Sequence, residues 1–301
     1  MGVTGSYSQG DVETWGVHVT TRRRTATAVG ILAAVVLAAS GCSLASDGKD
    51  AARDAAAAQV VRAAYAKTTS GETAKVRLDV RTSGGGTPLA LSGDGVVDFG
   101  TRKSQLRLNI PTIGTTDVRT VAGVTYVRVP ASFAVFTGGK PWVKLDRAAL
   151  GAAGMGVLGD SGTTDPADVL AYLAGASDKV TKVGEETVAT TPTTRYRVEI
   201  DLRKAARDAD AAGRAAAASA EKVFGSPTLP ADVWLDRDGR LRKLVLRQTV
   251  APAASPSGAS ATAAGVELYV ALTLPEFGVP VHVTAPRAAE VADLGALTGR
   301  R

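Results

Sequence analysis

One cysteine and two histidines in 301 residues leave little material for catalysis. A single cysteine, Cys42, excludes a disulfide within the chain, so the core has to hold by packing alone. The histidines are His18 and His282. His282 alternates with Val281 and Val283 in a strand-like run, the pattern of a surface or satisfied residue. A Ser-His-Asp or Cys-His relay would have to use it, and no G-x-S-x-G motif accompanies it. No His/Cys cluster has zinc spacing. No Walker or dinucleotide glycine pattern stands between a strand and a helix. Asp236-Arg237-Asp238-Gly239 begins like a calcium loop, but Arg240, Leu241, Arg242 and Lys243 follow it in place of oxygen donors. It reads instead as a D-G hairpin turn. Glu185-Glu186 after Gly184 reads as a solvated turn, and nothing nominates the pair of facing carboxylates that a glycosidase needs. The expectation is a protein that is not an enzyme and uses neither cofactor nor metal.

Aromatic residues are also scarce, at 5%. The net charge is +6, from 35 Lys and Arg against 29 Asp and Glu, without a dense basic run. That balance describes a solvated surface with excess arginine and predicts no nucleic-acid partner.

One stretch is strongly patterned. Arg22, Arg23 and Arg24 precede an apolar run over residues 26–39, followed by Ser40, Gly41 and Cys42. A basic segment, a short apolar segment and small residues before a cut site make a secretory signal. The run is short of the roughly 20 apolar residues a spanning helix requires. A cysteine directly after Ala-Ser-Gly resembles a bacterial lipobox, with Ala39 where Leu is commonest. The expected organisation is a signal over residues 1–41, a lipidated tether over 42–50 carrying a diacylglyceryl group on Cys42, and one domain over 51–301. The long polar lead of residues 1–21 is compatible with a later start, for example at Val19. The expected location is the extracytoplasmic face of the cell membrane.

Within the domain, residues 50–68 are alanine-rich with Val60, Val61, Ala64 and Tyr65 at helical spacing. From residue 72 the period changes to two: Val76, Leu78 and Val80 alternate with Lys75, Arg77, Asp79 and Arg81. Strands are expected at 89–99, 104–110, 118–122, 124–129 and 141–145, forming an antiparallel meander with one apolar and one wet face. Helices are expected at 147–153 and 165–176, the second with Pro166 at its first position. The glycine-rich stretch 151–163 lies between them. Strands resume at 180–183, 185–190 and 194–202, a helical run covers 203–224, and strands follow at 231–236, 241–250, 265–274 and 279–284. Residues 252–264 form a Pro/Ala/Ser/Gly loop. Two β-rich halves without a residue-level repeat favour one continuous sheet.

Several stretches carry a family resemblance: KPWVKLD (140–146), 165–188, TTRYRVEIDL (193–202), LPADVWLDRDGRLRKL (229–244) and 272–291. Together with the lipobox, they resemble the actinobacterial lipoproteins of the LppX/LprA/LprF/LprG type, which have a LolA-like fold. The resemblance implies an α+β fold, a single curved antiparallel sheet or half-barrel wrapped around and covered by helices, with an apolar cavity between them. It implies that Trp234 packs on the sheet and Asp238-Gly239 makes a turn. It further implies binding of an acylated lipid or lipoglycan for transport or display in the envelope, and it carries over no catalytic residue.

The candidate lining of such a cavity is the apolar side of the strands: Val76, Leu78, Val80, Leu106, Leu108, Ile110, Val198 and Ile200. Residues 151–163 are a candidate gate. The alternative is a half-barrel with a filled core that serves as an envelope protein-interaction or sensor module through a sheet edge or the 252–264 loop.

Overall fold

The computed structural model describes residues 44–70, 73–84, 88–111, 114–145, 166–208, 211–250 and 265–293. Cys42, the whole of the helix expected over 147–153, the 151–163 stretch and the 252–264 loop lie outside them. The described residues belong to the unit Leu44–Arg301.

A 26-residue helix, α1 (Leu44–Thr69), opens this unit. The strands follow as β1 (Thr73–Ser83), β2 (Leu89–Asp98), β3 (Lys103–Ile110), β4 (Gly114–Val121), β5 (Val124–Arg128) and β6 (Trp142–Leu145). After α2 (Pro166–Ala171) come β7 (Ala176–Val188) and β8 (Thr191–Asp201), then helices α3 (Leu202–Asp208) and α4 (Ala211–Phe224). The chain ends with β9 (Thr228–Leu235), β10 (Leu241–Val250), β11 (Val266–Thr273) and the short β12 (Val291–Asp293). Among the described residues all twelve strands form one open sheet, in the order β12-β6-β5-β4-β3-β2-β1-β11-β10-β9-β8-β7. Every pairing is antiparallel except β12 with β6. Among these residues no helix is long and apolar enough to cross a membrane.

Period-two alternation decides which side of the sheet is dry. In β3, Ser104, Leu106, Leu108 and Ile110 are buried while Arg107 and Asn109 are exposed. The same side continues across β11, β10 and β9 through Leu272, Leu244 and Val233, which lie in register. The helices cover that side, with Ala58, Val61 and Ala64 of α1, Leu170 of α2, Leu202 of α3 and Phe224 of α4 all in one apolar cluster with the strand residues.

Antiparallel pairing gives the sheet two unlike rims. Tight turns at 99–102, 122–123, 189–190 and 236–240 collect on one, where Ala122 and Gly123 take the successive left-handed conformations of a two-residue hairpin. The long connections 84–88, 129–141, 202–227 and 251–265 collect on the other. α1 spans the face between them: 26 helical residues measure about 39 Å, much as an 11-residue strand such as β1 measures about 36 Å. Its C-terminal end is tied to the tight-turn rim, where Thr68 Oγ1 accepts from the Leu241 amide at 2.9 Å. Arg62, closer to the long-loop rim, donates to the Ala176 carbonyl at 3.2 Å.

Four expectations need correction. The helix expected over 50–68 begins at Leu44, because the alanine-rich run propagates helix upstream. The expected helix 165–176 is a short α-helix and a 3-10 turn, Tyr172–Gly175, before the chain enters β7 at Ala176. The segments 180–183 and 185–190 are one strand whose pairing slips between Lys182 and Gly184. Residues 279–284 form no strand, since Pro280 cannot donate to a ladder. That segment is held instead by Thr73 Oγ1, which donates to the Val279 carbonyl at 2.6 Å.

Candidate functional site

The sheet brings the eight candidate residues to one face. Leu78 stands opposite Gly93 on one side and Leu272 on the other, and Gly93 in turn opposes Leu108. Val76 and Leu106 flank Gly95 in the same way. Val198 and Ile200 lie on β8, opposite Ala231 and Leu229. Seven of the eight are buried, and Leu78 is half-buried against the same cluster.

The two glycines explain how the wall bends. A methyl group on Gly95 would stand 1.9 Å from the Gln105 carbonyl oxygen, and one on Gly93 would stand 2.5 Å from Leu108 Cδ2. Only hydrogen fits where β2 and β3 fold this close on their inner side.

The candidate list was incomplete. Leu244, Leu246, Val233, Leu268 and Leu272 occupy the same face between the β1–β3 and β8 groups. Their signal was present as period-two alternation in β10 and β11, but strand order was needed to place them centrally.

The covering helices differ in what they present. At its contact with the sheet α1 offers Ala58, Val61 and Ala64, whereas α2 offers Leu170, α3 Leu202 and α4 Ala220 beside Phe224. The dry face therefore consists of a leucine- and valine-rich wall beneath a cover that is thin along α1 and bulkier along the other helices.

The opposite face is polar and ordered. Trp234 packs there, as the resemblance implied, with the Arg195 guanidinium 5.0 Å and the Lys243 ammonium 4.8 Å from its ring. Glu186 is exposed as expected but lies in β7 and not in a turn. It accepts from Trp234 Nε1 at 2.7 Å and from Arg195 at 3.0 Å, and these bonds hold its carboxyl below the usual carboxylate range. Arg195 also forks onto Asp232 at 3.1 and 3.3 Å, which raises its own pKa. Asp232 takes a further bond from Arg247 at 3.1 Å.

On the tight-turn rim, Asp236-Arg237-Asp238-Gly239 makes the hairpin turn the sequence predicts, the Gly239 amide donating to the Asp236 carbonyl at 2.9 Å. The Asp236 side chain is 4% exposed. Burial alone would raise its pKa. Bonds from the Arg240 backbone and from the Arg242 and Arg240 side chains outweigh that and hold it below the ordinary value. Both guanidiniums also stack on Phe277, at 4.8 and 4.7 Å. This network is a structural clamp: it closes the β9–β10 turn beside the α1 terminus. His282 is exposed. Among the described residues no group of three or more His, Cys, Asp or Glu could hold a metal ion.

Three surface grooves surround this framework. One of about 700 Å³ opens on the long-loop rim, between Leu89, Ala90, Pro230 and Leu268, with Arg81, Arg247 and Tyr269 at its edge. A second, of about 400 Å³, lies beside Glu186 and Arg237. A third, of about 410 Å³, is lined by Arg107, Asp117, Arg128, Pro130 and Lys140. None of the three is lined by the eight candidate residues, which are packed against one another and against the helices.

The fold and site together define an α+β half-barrel: one open, curved, mostly antiparallel sheet that holds helices on its apolar face. No family model and no curated protein matches the sequence. Solved structures are similar. The Mycobacterium tuberculosis lipoprotein LppX is 16% identical with a TM-score of 0.45, covering 76% of this chain and 98% of its own. LprF of Mycobacterium bovis is 14% identical with a TM-score of 0.39, covering 77% and 97%. A LolA-superfamily protein of Nitrosomonas europaea is 9% identical with a TM-score of 0.32, covering 75% and 94%. The fold described here rests on the chain's own strand order, register and packing.

Proposed function

We propose that this chain is a membrane-anchored lipoprotein that binds the acyl chains of a lipid or lipoglycan between its sheet and helices, for transport or display in the cell envelope, with no catalytic role. The observation that carries the reading is the unlike pairing of the two layers. A broad wall of Leu, Val and Ile is covered along α1 by Ala58, Val61 and Ala64, while α2, α3 and α4 add Leu170, Leu202 and Phe224. The small side chains of α1 forfeit little apolar contact when they move away, whereas each methylene of an entering acyl chain contributes about 0.8 kcal/mol on burial. An acyl chain can therefore replace the contacts of α1. The 700 Å³ groove on the long-loop rim is the proposed entrance: Leu89 and Leu268 line it from the dry side, and Arg81 and Arg247, on the polar side of the rim, are placed for an anionic headgroup. The secretory signal and Cys42 support anchoring at the outer face of the membrane.

Native mass spectrometry of gently purified protein tests the reading, the expected result being adducts with acyl-lipid masses. Leu78→Arg is the matching variant. Leu78 is the one half-buried member of the candidate set, so the long arginine stem can lie along the wall with its charge turned outward. Loss of the adducts with an unchanged circular-dichroism spectrum supports the proposal. Protein that carries no lipid and binds no acyl probe overturns it. The close packing of the eight candidate residues favours a second reading, an envelope interaction module with a filled core, and that second result would support it.

A further inference from the structure

Between β5 and β6 the chain makes a 3-10 turn, Ala131–Thr137, with the sequence ASFAVFT. Its apolar side chains point away from the core: Phe133 is 44% exposed, Phe136 72% and Val135 88%. In a chain with only five phenylalanines, two stand in one exposed turn with their ring centroids 6.3 Å apart. The turn is rigidly mounted. Pro130 precedes it, the Gly139 amide donates to the Ala134 carbonyl at 2.8 Å, and Thr137 Oγ1 bonds the Lys140 carbonyl at 2.7 Å.

The surroundings of the turn are basic. Residues 128–141 contain Arg128 and Lys140 and no Asp or Glu. The 410 Å³ groove at the base of the turn adds Arg107, with Asp117 between the two arginines at 3.6 and 3.7 Å. Three cations against one carboxylate leave this groove positive. The turn also sits on the long-loop rim, from which α1 begins its path across the sheet.

Exposed phenyl rings on a fixed loop, ringed by cations, match the chemistry of an anionic bilayer: acyl tails for the rings and lipid phosphates for the cations. The geometry points to residues 131–137 as a tip that docks on and inserts into an anionic phospholipid surface, so that the long-loop rim faces the membrane. This assignment stands on the tip alone and is independent of acyl binding between the layers.

The test replaces Cys42 by Ala in the full chain and places a bimane-labelled cysteine either at Val135→Cys or, as a control on the opposite rim, at Arg237→Cys, a side chain that is 94% exposed. Vesicles of equal phosphatidylglycerol and phosphatidylcholine should blue-shift the label at 135 and expose it to quenching by nitroxide lipids, while the label at 237 stays unchanged. Adding Phe133→Ser and Phe136→Ser should weaken the response at 135 by about tenfold or more per ring removed. Lys140→Glu, or high salt, should also weaken it. The proposal is overturned if the label at 135 is unmoved while the chain floats with vesicles, if it responds equally on pure phosphatidylcholine, or if its shift follows protein concentration without vesicles. The last outcome would make the tip a contact between copies.

Discussion

Thr68 is a single hydroxyl that fastens the covering helix to the sheet, and Thr68→Val removes it with almost no change of shape. The side chain is fully buried. Its Oγ1 donates to the Ala64 carbonyl at 2.6 Å and accepts from the Leu241 amide at 2.9 Å. Leu241 is itself fully buried at the start of β10, so no water can replace the lost acceptor. The Ala64 carbonyl keeps its place in the helix ladder, and the cost falls on the Leu241 N–H. Leaving one buried donor without a partner costs about 1–3 kcal/mol. For a domain of this size that corresponds to a melting point lowered by about 2–4 °C for each kcal/mol. Thr68→Ser keeps both bonds and loses one methyl, which costs about 1 kcal/mol. Urea unfolding should therefore show a lower midpoint at unchanged slope for the valine variant. Hydrogen exchange should show the Leu241 amide losing protection in Thr68→Val but keeping it in Thr68→Ser. A valine variant within about 0.5 kcal/mol of the parent, with Leu241 still protected, would refute the reasoning and mean that the Thr68–Leu241 bond does not hold α1 to the sheet.

Two further outcomes follow from the same framework. The depressed pKa of Asp236 means that its charge stabilises the fold above the unfolded value of about 3.9 and that this contribution is lost as pH falls toward the folded value. Asp236→Asn should cost about 1.5–3 kcal/mol near neutral pH and flatten the acid limb of the stability profile; an unchanged limb would assign that slope to other carboxylates. Cys42→Ala should move the protein from the membrane to the soluble fraction, measured by fractionation of cells, and persistence in the membrane fraction would remove the lipid anchor from the proposal.

Much of the domain was legible because burial on one face imposes period two. Leu106, Leu108 and Ile110 against Arg107 and Asn109 announced a strand with one dry side, and the Asp-Gly at 238–239 announced its turn. Both are local properties of backbone geometry and side-chain alternation. The exposed tip at 131–137 was not legible. Phe133, Val135 and Phe136 look like core residues in any hydrophobicity count, and only their position on an exposed turn sets them outside. Glu186 was misread for a related reason: its partners, Trp234 and Arg195, are 48 and 9 residues away along the chain and meet it only through the β7–β8–β9 register.

The amino-acid sequence by itself determined most of the strands, the alanine-rich helices, the poverty of histidine and cysteine, and the basic-apolar-cysteine pattern of residues 22–42. Each of these depends on residues close together in the chain. The tertiary structure alone decided that β1 lies beside β11, across 194 residues at the Leu78–Leu272 pair, and so joins the two β-rich halves into one sheet. It also decided that glycines 93 and 95 let that sheet curve, and that the long connections share a rim. These outcomes depend on which strands pair and on how closely their backbones approach, and no local pattern encodes either.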